Sequence, residues 1–109
     1  MNDPARPPPA PEEAGRIALW QLDEALERKP EKEDHLLSEL VRNLCLYREA
    51  LIAAARRGGE AERQRLGRLN MVLTVAAAVE FPAGDVPWEA LASARDTLAG
   101  LAGRPVAKA

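Results

Sequence analysis

Apolar residues recur with the 3-4 spacing of an amphipathic helix in four separate blocks of the chain. The blocks cover residues 12–28, 32–57, 60–81 and 87–102. The second block carries the longest seam, formed by Leu37, Leu40, Leu44, Tyr47, Leu51 and Ala54. This spacing places the apolar side chains of each helix on one face, where they can pack against neighbouring helices. The pattern therefore predicts an all-α protein.

Proline and glycine mark the breaks between these blocks. None of the nine prolines falls in the interior of a block, where one would cost about 3 kcal/mol. Pro30 and Pro82 mark two connections, and Gly58 and Gly59 mark the third. Because all three connections are short, consecutive helices are expected to run antiparallel. The sequence predicts a small antiparallel up-down-up-down four-helix bundle, with residues 12–103 as its single domain.

The two ends of the chain differ in composition from the four blocks. Five of the nine prolines stand in the first eleven residues, which predicts a disordered, Pro-rich tail over residues 1–11. Residues 104–109 form a short C-terminal tail after the last block. In an up-down-up-down bundle both tails lie at the same end of the bundle as the turn at Gly58 and Gly59.

The amino-acid composition supports the helical prediction and indicates where in the cell the protein is expected. The chain has 21 Ala and 15 Leu against 10 β-branched residues, and its formal net charge is −2. Such a charge gives no general attraction for nucleic acid or an anionic membrane. The longest apolar stretch, residues 71–79, is too short for a membrane span, and no secretory signal is expected. The single cysteine, Cys45, cannot form an internal disulfide and therefore favours a cytoplasmic location. The high alanine content and the excess of arginine over lysine, 12 to 3, indicate a bacterial source.

Residues that could carry catalysis or bind a metal are scattered. His35 is the lone histidine, and Cys45 lies about 280° further around the same predicted helix, so the two do not converge. Ser38 and Ser93 have no evident base beside them, and the acidic residues map to outer faces. We expect no enzyme activity, no cofactor and no metal site. Cys45 is expected at the edge of the core, as a small hydrophobic residue.

Basic residues cluster around the Gly58 and Gly59 turn. The segment 56–68 has a net charge of +3 and contains Arg56, Arg57, Arg63, Arg65 and Arg68. These arginines are candidate contacts for an anion. They support an alternative function, in which the bundle binds a small ligand or nucleic acid. The simpler interpretation is a solvated turn, since no aromatic residue is interleaved with the arginines and nucleic acid is an unlikely partner for so acidic a chain.

The two tryptophans lead to different expectations. Ile17 and Trp20 fall outside the apolar arc of the first helix, and tryptophan is enriched at interaction hot spots. We predict that these two residues form a surface for a protein partner, unless the helix is rotated or a tail covers the ring. Trp88 stands at a turn and is predicted to close one end of the bundle, with Arg95 along its flank.

The third helix is apolar on two sides. Its predicted core face contains Leu66, Leu69, Leu73 and Ala76. A second face, beginning at Met71, contains Met71, Val72, Val75, Ala78 and Val79. Soluble monomers avoid large exposed apolar patches, so this second face is predicted to be an oligomer interface. The alternative is that the helix is simply the most buried one of an irregular bundle.

Taken with the absence of catalytic motifs, these features predict a non-catalytic protein-protein interaction protein: an adaptor, a regulator or an assembly factor. It is expected to be homodimeric through its third helix.

Overall fold

The computed structural model describes residues 10–80 and 84–102, and these residues form four α-helices. Helix α1 spans Pro11–Arg28, α2 His35–Arg56, α3 Glu60–Ala77 and α4 Trp88–Leu101, and a 3-10 turn, Ala78–Glu80, extends α3. Helix α1 packs against α2 and α4, and α3 packs against the same two helices. The predicted all-α, four-helix class is confirmed.

Contacts between helices show how neighbouring elements are aligned. Along α1, Gly15 lies against Tyr47 of α2, whereas Gln21, further along, accepts a hydrogen bond from Asn43. The contacts thus proceed in opposite directions along the two helices. They agree with the antiparallel packing of this pair, and the complete up-down-up-down order stays a prediction.

The helix ends follow local chemistry that the apolar pattern does not show. Helix α1 begins at Pro11, one residue earlier than expected, because proline suits the first helical turn. Pro11 therefore belongs to the helix and not to the tail, while the tail predictions for residues 1–9 and 104–109 lie outside the described residues. Helix α2 begins at His35, three residues later than expected, because Asp34 caps it by accepting a 2.7 Å hydrogen bond from the Leu36 amide.

The core is a continuous set of leucines, with one tyrosine at its end near the last residue of α4. Fully buried residues include Leu19, Leu22, Leu40, Leu44, Leu51, Leu69, Leu91 and Leu98. The buried Tyr47 hydroxyl donates a 3.0 Å hydrogen bond to the Leu101 carbonyl, which ties α2 to the end of α4. Burial raises the pKa of Tyr47, against the smaller opposing effect of Arg65.

Candidate functional site

Helix α3 is rotated relative to the orientation that its sequence predicts. Its buried stripe consists of Leu69, Val72, Ala76 and Val79, and Leu73 is only partly buried. Val72 is 1% exposed and Val79 is 5% exposed, so these two residues cannot form part of a surface patch. The predicted interface was wrong for both, because α3 packs between α2 and α4 and buries the arc that faces the two together. The corrected set is Met71 and Val75 on α3 and Ala78 in the 3-10 turn.

An apolar groove runs between α3 and α4. Met71 is 67% exposed and Val75 is partly buried on the α3 side. The α4 side presents small residues, namely Ala90, Ser93, Ala94 and Thr97. Because these side chains are short, another helix can approach the groove closely. Such a surface fits a protein helix better than a polar small molecule.

Trp20 lies where its sequence position predicts, on the side of α1 that faces away from the core. The ring is 64% exposed, whereas the neighbouring Leu19 and Leu22 are fully buried. Ile17, one turn earlier, is exposed as well. Helix α1 is therefore not rotated, and both residues are available at the surface.

Leu46 of α2 is a further exposed apolar residue. Gln21 of α1 and Asn43 of α2 are joined by a hydrogen bond across the two helices. Ile17 lies one turn before Gln21, and Leu46 lies one turn after Asn43. Because the contacts of α1 and α2 proceed in opposite directions, both steps lead toward the same end of the pair. We group the exposed residues Ile17, Trp20 and Leu46 under the name α1/α2 patch.

The exposure of Trp20 leads to a stability prediction. Trp20→Ala is expected to change the free energy of unfolding by about 0.5 kcal/mol or less, because the ring makes little contact with the bundle. The matched control is Leu19→Ala, which truncates the adjacent buried residue and should cost about 2–5 kcal/mol. Urea unfolding of both variants measures the difference. A large loss for Trp20→Ala would show that the ring is part of the core.

Gln21 is a buried polar residue that sequence reasoning missed. Its side-chain nitrogen donates a 3.4 Å hydrogen bond to Glu39, and its oxygen accepts one from Asn43. These two hydrogen bonds satisfy the buried side-chain amide of Gln21 and fix the register of α1 against α2. The signal was present, since Gln21 falls within the apolar arc of α1, but its partners could be identified only from the register of the two helices.

The five arginines of residues 56–68 lie in different surroundings, and their role as anion contacts stays a prediction. Arg65 and Arg68 stand one turn apart on the same side of α3, whereas Arg63 is turned away from both. Arg63 forms a 3.3 Å ion pair with Glu60, while Arg56 and Arg57 are exposed at the end of α2. Arg65 is partly buried and lines a cavity of about 80 Å³ beside Tyr47. Ligand pockets are typically about 300–1,000 Å³, so this cavity does not fit a drug-sized molecule.

The structure corrects the prediction for Cys45 and adds a partner for Arg95. Cys45 is exposed and not at the edge of the core, because the buried arc of α2 is narrower than its sequence pattern indicates. The guanidinium of Arg95 is bound to Asp23 through Nε–Oδ1 and Nη2–Oδ2 distances of 2.6 and 3.3 Å, and its place along the flank of Trp88 stays a prediction. This pair joins α4 to α1, and the hydrogen bond that Arg95 donates to Asp23 raises the pKa of Arg95. Trp88 packs partly buried against the core.

Groups that could bind a metal are not found in residues 10–80 and 84–102: no three His, Cys, Asp or Glu side chains there come together. His35 is exposed at the start of α2. Over the same part of the chain, the helices are too short or too polar to cross a bilayer.

Comparisons with protein-family models, with curated proteins and with solved structures find no match to this chain. The functional assignment therefore depends on the surfaces of the bundle. Among the described residues, the groove between α3 and α4 and the α1/α2 patch contain the large hydrophobic side chains that are most exposed, Met71 and Trp20.

Proposed function

We propose that this chain is a non-catalytic, cytoplasmic protein-protein interaction protein that forms a homodimer through the groove between α3 and α4. An adaptor, a regulator or an assembly factor fits this role. The observation that carries the proposal is the exposure of Met71, 67%, next to the partly buried Val75 and a wall of small α4 residues. Burial of such a surface against a second copy removes apolar area from water.

A second copy is a suitable occupant because the groove has both elements of a helical interface. Met71 provides a projecting side chain, and the small residues Ala90 and Ser93 leave room for the projecting side chain of another molecule. In a two-fold dimer each groove supplies both elements to the other. The contact closes on itself and leads to a dimer, not to an open chain of molecules.

The α1/α2 patch is the proposed surface for a further protein partner. Trp20 and Ile17 lie on α1, and Leu46 lies on α2, so a dimer formed through α3 and α4 leaves the patch free. Tryptophan contributes strongly to protein-protein affinity when its ring is buried at an interface. A dimer would present two such patches and could bind a bivalent partner more tightly than one chain does.

A dilution series followed by NMR tests the proposed interface at the level of residues. Amide signals of Met71, Val75, Ala90 and Thr97 are expected to shift as the concentration falls, because these residues lose their neighbour. The indole N–H signal of Trp20 serves as the internal control and should stay in place. Spectra that do not change with concentration, or that change at Trp20 and not at the groove, would contradict the proposal.

A further inference from the structure

We propose that the exposed side of α1 around Trp20 binds a basic amphipathic helix of another protein, with one lysine or arginine on each side of the tryptophan. The binding surface is formed by Glu13, Trp20 and Glu27, which we call the α1 strip. The inference rests on the proposed partner surface, to which Trp20 belongs, and adds the chemistry of the partner. It follows from where the negative charge of the bundle lies.

Negative charge is concentrated on α1. This helix has a net side-chain charge of −3, from five acidic and two basic residues, namely Glu12, Glu13, Asp23, Glu24 and Glu27 against Arg16 and Arg28. Counted in the same way, α2 and α3 each carry +1 and α4 carries −1. The helix that presents the exposed tryptophan is therefore the most acidic of the four.

Two of these carboxylates lie on the same side of α1 as the Trp20 ring. Glu13 and Glu27 are each seven residues from Trp20, so each lies about 20° from it around the helix and about 10 Å from it along the axis. All three side chains are exposed. Within residues 10–80 and 84–102 neither carboxylate has an ion-pair partner.

The other charged residues on this side of α1 lie at the edges of the strip. Asp23 is paired with Arg95, and Glu24 is paired with Arg28. Arg16 lies on the same edge as Asp23, and both line a shallow hollow beside the tryptophan. Among the described residues Arg16 also has no ion-pair partner. One such basic group against two such carboxylates leaves this side of the helix acidic.

A helix that packs alongside α1 can match the strip, because its own side chains return to the same face every seven residues. An apolar side chain at its centre would cover the Trp20 ring, and basic residues seven positions before and after would reach Glu13 and Glu27. The same carboxylates repel nucleic acid and anionic lipid. The charge around Trp20 therefore favours a basic protein segment as the occupant.

Two synthetic helical peptides of about 18 residues test this inference. Both have a central leucine stripe and two lysines. In the first peptide the lysines stand seven residues before and after the central leucine. In the second they stand five residues away, which turns them to the opposite side of the helix. The first peptide is expected to shift the indole N–H signal of Trp20 in NMR titrations and to bind about tenfold more tightly than the second.

Variants of the chain test the role of each charge. Glu13→Gln and Glu27→Gln are each expected to raise the dissociation constant of the first peptide about threefold, since each removes one attractive pair. Arg16→Gln should lower it about twofold, and Trp20→Ala should raise it at least ~10-fold. Glu80→Gln is the matched control, because Glu80 is an exposed carboxylate after α3, which packs against α2 and α4, and it should leave the constant unchanged.

The outcomes separate the partner's chemistry from the rest of the proposed function. Equal affinity for the two peptides, no shift at Trp20 with either, or an affinity that neither glutamate variant changes would each overturn the inference. Tighter binding to anionic phospholipid vesicles than to the first peptide would overturn it as well. The homodimer is measured on the chain without peptide by sedimentation equilibrium, so either proposal can fail while the other holds.

Discussion

Val75→Glu is expected to give a folded monomer. A carboxylate at the centre of the groove would have to lose its water of hydration when a second copy binds, and the described residues that line the groove include no basic side chain. The dissociation constant of the dimer should therefore rise at least ~100-fold, the equivalent of about 3 kcal/mol. Leu69, Val72 and Ala76 remain in the core, so the free energy of unfolding of the monomer should fall by only about 1 kcal/mol. Light scattering and thermal unfolding measure the two effects.

The matched control for this variant is Val41→Glu. Val41 is a partly buried valine of α2 and has no part in the groove. The Val41→Glu variant should lose a similar free energy of unfolding to Val75→Glu and remain a dimer. Equal loss of dimer in both variants would mean that dissociation follows general destabilisation and not the introduced charge in the groove.

Gly15→Ala and Gly67→Ala are expected to change stability in opposite directions. At Gly15 an added methyl group would lie 2.8 Å from Tyr47 Cζ and 3.1 Å from its hydroxyl oxygen. The ring is held by its hydrogen bond to Leu101, so the substitution should lower the free energy of unfolding by about 1–3 kcal/mol. At Gly67 nothing lies within 4 Å of the added methyl group, and alanine is the better helix former, so the gain should be about 1 kcal/mol.

Urea unfolding of the two alanine variants checks this pair. Both variants replace a helical glycine with alanine. The difference between their changes in the free energy of unfolding therefore reports the contact with Tyr47. Stabilisation by both would show that Tyr47 has room to move away and that Gly15 is not required for the approach of α1 to α2.

The four helices could be predicted from the sequence because their apolar spacing and the proline positions agree. The same spacing predicted that Trp20 is exposed, because Trp20 lies on a different face of α1 from Leu19 and Leu22. These are properties of a single helix. They follow from the 3.6-residue period alone and require no knowledge of neighbouring elements.

Features that involve two helices could not be predicted in this way. The choice of Val72 over Leu73 as a core residue of α3 depends on the positions of α2 and α4, and α3 is apolar enough to allow either. In the sequence Leu46 is an isolated apolar residue, and only the hydrogen bond between Gln21 and Asn43 shows that it lies toward the same end of the α1 and α2 pair as Ile17. The pairing of Arg95 with Asp23 likewise depends on how α4 lies against α1.

The mass of the wild-type protein in solution tests the central proposal most directly. Sedimentation equilibrium from low to high micromolar concentration should show a mass that rises toward twice the chain mass of 11.8 kDa. A mass that stays at 11.8 kDa up to high micromolar concentration would contradict the proposed dimer.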